Sequence, residues 1–276
     1  MLNLKNLPVD DPKLVVCGGG HIGIPVAKIG RMLGFRVTVL EDRPEFAENA
    51  RAAGADEVIL APFDEGLARI PGDEDTFFVV VTRSHDLDNI CLNAVCRKPH
   101  AYIGALGSRR RSVLARERLV SEYGCDPEVV ASIHMPIGLS IGSETPEEIA
   151  VSVMAEIVQE RNRADRSGRW PRELLEALRN PDVKGSLALA TVTERRGSAP
   201  RGVGTRMLIR PDGTAVGTVG GGDLEAEVIQ KALHILSSGT PAETEVKAAL
   251  NADGMACGGA VTVHIEIIPE EKRFEA

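Results

Sequence analysis

Cys257 stands in the heptapeptide GMACGGA, between small Ala256 and the glycines Gly258 and Gly259. A thiol kept for packing needs apolar neighbours with side chains, and this one has none beside it in sequence. Nearby amides and arginines lower a thiol's pKa, and the thiolate that results coordinates metal or carries sulfur. Cys257 is therefore a candidate catalytic residue and a candidate metal ligand, with a structural bend as the alternative. Two loops upstream suit an anion. Residues 196–204 carry Gly197, Gly202 and Gly204, the hydroxyl of Ser198, and the guanidinium groups of Arg196 and Arg201. Planar guanidinium donors match two phosphate oxygens at once, although a bend with exposed arginines would read the same. Gly220, Gly221 and Gly222 enter a helix whose predicted N-cap is Asp223, which leaves backbone amides for an anion. Glu225 and Glu227 either favour the helix dipole or accept hydrogen bonds from a polar heterocycle.

A second constellation lies near the other end of the sequence. KLVVCGGGHIG places Gly18, Gly20 and Gly23 in the G-x-G-x-x-G spacing directly after an apolar run. The first glycine allows a tight strand-to-helix turn, the second lets a pyrophosphate approach the backbone, and the third permits close helix packing. FRVTVL then reads as a second strand ending in Glu41 and Asp42, at the offset from which an acid holds a ribose hydroxyl. Arg43 follows and suits a 2'-phosphate or an adenine face, so NAD and NADP both stay open. In TRSHDLD, His85 is a candidate general acid or base, while Ser84, Asp86 and Asp88 suit a helix N-cap. Arg109, Arg110 and Arg111 either clamp phosphate or form a solvated first turn, where they would oppose the helix dipole.

The elements that hold these residues follow from local pattern. EVIL, TFFVVV and AYIGAL are short apolar runs separated by helical or polar stretches, which predicts a parallel sheet of five or six strands covered on both faces. SETPEEIAVSVMAEIV carries Thr145 as N-cap, Pro146 in the first turn and Glu148 closing a capping box. The polar stretch after it, RNRADRSGRWP, reads as a linker. RPDG between MLI and TAVGTV predicts a β-hairpin, and VTVHIEII a final strand. The expected fold is α/β: a Rossmann-type parallel sheet domain over residues 1–165, followed by a smaller α+β domain over 166–276.

Composition limits the function. The 32 Lys and Arg against 40 Asp and Glu give a formal charge of −8, and only 3% of residues are aromatic, which disfavours nucleic acid as a partner. No apolar run of about 18 residues and no leader-like apolar segment is present, so the cytoplasm is the expected compartment, with no membrane partner. Five cysteines without paired metal spacing are expected to be reduced.

GSAPRGVGTRM, TVGGGDLEAEV and GMACGG resemble the XdhC/CoxI domain. VVCGGGHIG, VLEDRPEFA, TRSHDLD, YIGALGSRRR and PIGLSIGSETPEEIAVSVMAEI resemble the Rossmann domain of the same maturation factors. The resemblance runs from about Lys13 to Ile267. It implies an accessory protein that binds molybdenum cofactor, assists its sulfuration and helps insert it into a xanthine-dehydrogenase-like apo-hydroxylase. The molybdopterin would lie near Gly197, Ser198, Arg201, Gly220, Gly221, Gly222, Glu225 and Gly258, with Cys257 close to its dithiolene or metal. A cysteine desulfurase partner and a homo-oligomer are further expectations. Two departures stand out: the XdhC/CoxI domain comes second here rather than first, and Ser140 replaces an acid. An NAD(P)-dependent oxidoreductase is the alternative reading, and a scaffold for the hydroxylase a third.

Overall fold

The computed structural model describes residues 7–163, 168–197, 201–238, 243–250 and 259–273. They divide into two units, and the chain passes between them twice. The strand β1 (Val9–Asp10) comes first. One unit then spans Asp11 to Arg163, and the described residues from Gly168 onward form the other together with Leu7–Asp10.

The first unit alternates strand and helix: β2 (Lys13–Cys17), α1 (Gly23–Met32), β3 (Arg36–Glu41), α2 (Pro44–Ala52), β4 (Glu57–Leu60), α3 (Phe63–Ala68), β5 (Thr76–Val80), α4 (His85–Val95), β6 (Tyr102–Ala105), α5 (Arg109–Ser121), α6 (Pro127–Ser132) and α7 (Pro146–Arg163). The strands are parallel in the order β4-β3-β2-β5-β6, the doubly wound arrangement. The two faces of β2 show why its sequence is apolar throughout. Leu14 and Val16 pack with Val26 of α1 and Val153 of α7 on one face, whereas Val15 and Cys17 join Leu67 of α3 and Leu92 of α4 on the other. Burial of each such aliphatic side chain contributes roughly 1.5–3 kcal/mol. Thr145 and Glu148 form the expected capping box: the Glu148 amide donates to Thr145 Oγ1 at 3.3 Å, and the Thr145 amide to Glu148 Oε2 at 3.1 Å.

Beyond β6 the extended segment around His134 continues the sheet through a bridge to Gly104. It is tied to α7 by a buried network that no sequence motif announces. Tyr102 donates its hydroxyl to Glu156 Oε2 at 2.5 Å, the Gly138 amide donates to the same oxygen at 2.9 Å, and His134 Nδ1 lies 3.2 Å from Oε1.

The second unit continues with β7 (Trp170–Pro171), α8 (Arg172–Leu178), β8 (Leu187–Arg196), β9 (Arg206–Ile209), β10 (Ala215–Gly217), α9 (Gly222–Ser238), β11 (Glu243–Leu250), β12 (Gly259–Ile268) and α10 (Glu270–Arg273). Five strands form an antiparallel sheet in the order β10-β9-β8-β12-β11, with β9 and β10 as the hairpin expected around Arg210–Gly213. Leu224, Val228 and Ala232 of α9 cover one face, and Leu174 and Leu178 of α8 pack with Trp170 on residues of the other. Parallel pairing of β1 with β7 sets Val9 beside Trp170, which is why the N-terminal residues lie with this unit. Arg273 is fully buried and donates to the carbonyls of Leu178, Asn180, Val183 and Gly185, each at 2.9 Å. Its guanidinium thereby satisfies the turn that ends α8. One local expectation is corrected: α9 begins at Gly222, so Asp223 sits in its first turn and not at the N-cap.

The Glu156 network predicts a pH dependence. Burial pushes the Glu156 carboxyl up, but hydrogen bonds from His134, Tyr102 and Gly138 outweigh it and leave the group below the ordinary glutamate value. A carboxyl lowered in the folded state contributes stability above its unfolded pKa of about 4.3, and this is lost as pH falls through the folded value. The Rossmann unit is therefore expected to lose stability below about pH 4.3, and Glu156→Gln to flatten that acid limb. Urea unfolding followed by hydrogen exchange of the sheet amides checks both.

Candidate functional site

The glycine fingerprint forms the tight turn its spacing predicts. At Gly18 the backbone has φ of +114°, and an added Cβ would lie 2.6 Å from the Val81 carbonyl oxygen. A Cβ at Gly23 would sit 1.8 Å from the Gly18 carbonyl oxygen, so the helix can start this close to the strand only without a side chain. A Cβ at Gly20 would meet nothing within 4 Å, which leaves the position open for a ligand. Helix α1 has no side-chain cap and no acid in its first turn, so its N-terminal dipole is unopposed. A cavity of about 240 Å³ opens here, lined by Gly18, Gly20, His21, Glu41, Arg43 and Thr82 among others.

The acids at the end of β3 are both engaged. Glu41 is fully buried, and its carboxylate accepts the Gly19 amide at 2.8 Å, Arg43 Nε at 2.9 Å and the Asp42 amide at 3.1 Å. The Arg43 guanidinium carbon lies over the Phe46 ring, 3.6 Å from its centroid. Asp42 is held by both terminal nitrogens of Arg83, at 2.5 and 2.8 Å, and this pairing keeps its carboxyl below the usual aspartate range. The Arg83 contact went unread in the sequence, although TRSHDLD contains it, because its partner lies 41 positions away.

At the end of β5, Ser84 is the N-cap and accepts the Leu87 amide. Asp88 turns inward, where burial raises its carboxyl pKa despite a 2.6 Å hydrogen bond from Thr82 Oγ1. His85 Nδ1 lies 3.5 Å from Asp88 Oδ2. Ser108 caps α5, so Arg109, Arg110 and Arg111 occupy its first turn. Cys17, Cys91, Cys96 and Cys125 are buried free thiols, and burial pushes Cys96 up to about 12, which makes it a poor nucleophile at neutral pH.

In the second unit, strand register gathers the loops of interest at one end of the sheet. Gly217 of β10 pairs with Met207 of β9, Arg206 with Thr191 of β8, Ala260 of β12 with Arg196, and Gly259 with Leu250 of β11. The segments after Arg196 and after Leu250 therefore leave from that end, and the segment after Gly217 heads toward it from the level of Ala190, six residues short of Arg196. Gly197 has a left-handed backbone, Arg201 is exposed, and Gly220, Gly221 and Gly222 take three successive positive φ values of 139°, 77° and 61°. A Cβ at Gly202, Gly221 or Gly222 would meet nothing within 4 Å. Glu225 reaches back, accepting the Thr218 hydroxyl at 2.6 Å and the Gly221 amide at 3.1 Å on one oxygen. Ser198, Cys257 and Gly258 lie outside the described residues. Among the described residues no cluster of three His, Cys, Asp or Glu is placed to hold a metal ion, and no helix is long and apolar enough to cross a membrane.

A doubly wound sheet with a glycine-fingerprint cavity, joined to an antiparallel unit with glycine-turned loops at one end, defines a two-unit protein with a Rossmann-type nucleotide fold. A family model described as the XdhC Rossmann domain matches residues 14–157, more than half of the chain, and another described as the XdhC and CoxI family matches residues 183–247. The chain belongs to the XdhC/CoxI family, with the Rossmann unit ahead of the XdhC/CoxI match. It is 36% identical over 152 residues to a protein of Bacillus subtilis described as a probable xanthine dehydrogenase subunit, covering 55% of this chain and 44% of that protein. It is 33% identical over 154 residues to the "Uncharacterized protein YqeB" of Escherichia coli, covering 55% and 28%. A crystal structure described as a xanthine dehydrogenase from Bacillus halodurans aligns with a TM-score of 0.50 at 30% identity, covering 57% of this chain and 45% of that one. The matched region thus spans less than half of each of these relatives.

A tight and an open glycine of the fingerprint, Gly23 and Gly20, are expected to behave differently on substitution. Gly23→Ala forces a Cβ into backbone and should cost roughly 2 kcal/mol or more, whereas Gly20→Ala should stay within about 1 kcal/mol of the parent. Thermal unfolding of the two variants beside the parent chain measures the difference.

Proposed function

We propose that this protein is a maturation factor that holds molybdenum cofactor for delivery to a xanthine-dehydrogenase-like apo-hydroxylase. The observation that carries this reading is the departure of three glycine-containing segments toward one end of the antiparallel sheet, in a chain of the XdhC/CoxI family. The described residues fit a phosphate-bearing pterin. Positions 202, 221 and 222 leave open space where side chains would intrude, and Arg201 is exposed to meet an anion. The cofactor, when bound, supplies a dithiolene-held molybdenum centre. The chain's own part is to bind the phosphate through Arg201 and loop amides, with the Gly221 amide released from Glu225, and to bring the Cys257 thiol to the ligand. The relatives' descriptions as xanthine dehydrogenase proteins support a molybdenum hydroxylase as recipient, and a cysteine desulfurase and a second copy of the chain belong to the same proposal. Wild type is expected to co-elute with molybdopterin, and Arg201→Ala and Cys257→Ala to retain at least tenfold less. Absence of retention by wild type, or retention by both variants equal to that of wild type, overturns the assignment.

A second reading concerns the Rossmann unit and rests on the open cavity at Gly20. It binds a nicotinamide dinucleotide, with Arg43 beside the ribose end of the site. Fluorescence titration with NADH and NADPH should show saturable binding that Gly20→Val weakens at least tenfold. Hydride turnover would identify an oxidoreductase, whereas binding without turnover would identify a sensing or structural ligand.

A further inference from the structure

A separate cavity of about 230 Å³ lies between α4 and α5, at the carboxyl ends of β5 and β6, in the Rossmann unit. Its walls are apolar: Leu92, Leu106, Leu114, Ala115 and Met135. Leu106 also lines the cavity at the glycine fingerprint, so the two compartments share a wall. In open parallel sheets this end of the strands is where ligands bind. The polar residues of the lining are His85, Asp88, Asn89, Arg111, Ser112 and Arg118, of which the two arginines are the permanent cations. Arg118 is paired with Glu122 at 3.1 Å, while Arg111 has no carboxylate partner among the described residues. His85 is exposed, with Nδ1 facing the Asp88 carboxylate, and Asp88 is in turn anchored to Thr82. Asp88 is the one acid in the lining, and both of its oxygens already have partners.

Apolar walls, a small volume and a guanidinium without a carboxylate together define a ligand. We propose that this cavity binds a small molecule with an apolar body of about one ring and a single anionic group, held by Arg111. The volume falls below the 300–1,000 Å³ of typical drug-sized sites, which restricts the body to about that size. The apolar part is desolvated against Leu92 and Met135. The anion meets a planar two-pronged donor, which suits carboxylate and phosphate alike. His85, oriented by Asp88, supplies a further ring nitrogen at the lining. The site is independent of the cofactor loops in the other unit, so it stands or falls apart from the molybdopterin reading.

Calorimetric titration of the full chain with benzoate, phenyl phosphate and the neutral isostere benzamide tests it. At least one of the two anions should bind saturably, with benzamide at least tenfold weaker. Arg111→Gln should weaken the anion at least tenfold, and Leu114→Trp should abolish binding while the circular dichroism spectrum is unchanged. Tighter binding of benzoate assigns a carboxylate ligand, and tighter binding of phenyl phosphate a phosphate. Failure of both anions to bind wild type, equal affinity for benzamide, or an unaltered affinity in Arg111→Gln overturns the proposal.

Discussion

A carboxylate withdrawn from water must have its lone pairs met by donors, and the first unit is organised around one that does so. Glu41 is fully buried, and its two oxygens are satisfied by the Gly19 amide, the Asp42 amide and the Arg43 side chain. Removing the Arg43 guanidinium would leave the buried charge without its counter-charge, which is far costlier than losing one exposed hydrogen bond. Glu41 thus ties the turn after β2 to the end of β3. It also decides the environment of its neighbours: Arg43 is drawn across Phe46, and Asp42 is left for Arg83. The cavity at the fingerprint inherits its shape from these fixed side chains.

The second unit uses a related device at a more exposed place. Glu225 takes the Gly221 amide, as Glu41 takes that of Gly19. In each unit an internal carboxylate occupies a glycine-loop amide of the kind that suits an incoming anion. Exposure separates the two cases. The Glu41 carboxylate has five donors and no solvent, whereas the Gly221 amide is solvent-exposed, so exchanging Glu225 for a phosphate oxygen costs far less there. An anion approaching the first unit would find the Gly19 amide committed and the Gly20 side open.

What the sequence disclosed was local. The G-x-G-x-x-G turn, the Thr145–Glu148 box and the hairpin after Ile209 are each set within a few residues, so their chemistry is written contiguously. The α/β class followed from alternating apolar runs and helices. What escaped depends on distant pairing: Arg83 with Asp42, Tyr102 with Glu156, Arg273 with four carbonyls some 90 residues earlier. The helix start at Gly222 was misread because aspartate favours the N-cap, which would have made Leu224 the first helical residue, two later than the observed start. For the candidate site, the loops were legible but their shared end of the sheet was not, since that follows from the register of β8, β9 and β12.

The pairing of β1 with β7 bears on the order in which the chain acquires structure. Val9 leaves the ribosome well before Trp170, with the whole Rossmann unit synthesised between them. A two-residue strand has no independent stability, so it waits unpaired while the parallel sheet assembles. Closing the pair across a flexible intervening chain of that length would carry a loop-closure penalty that grows with the number of residues. A Rossmann unit already folded replaces that flexible loop with a compact body. Folding of the inserted unit therefore lowers the entropic barrier to completing the unit that surrounds it, and β1 becomes a late-docking strand.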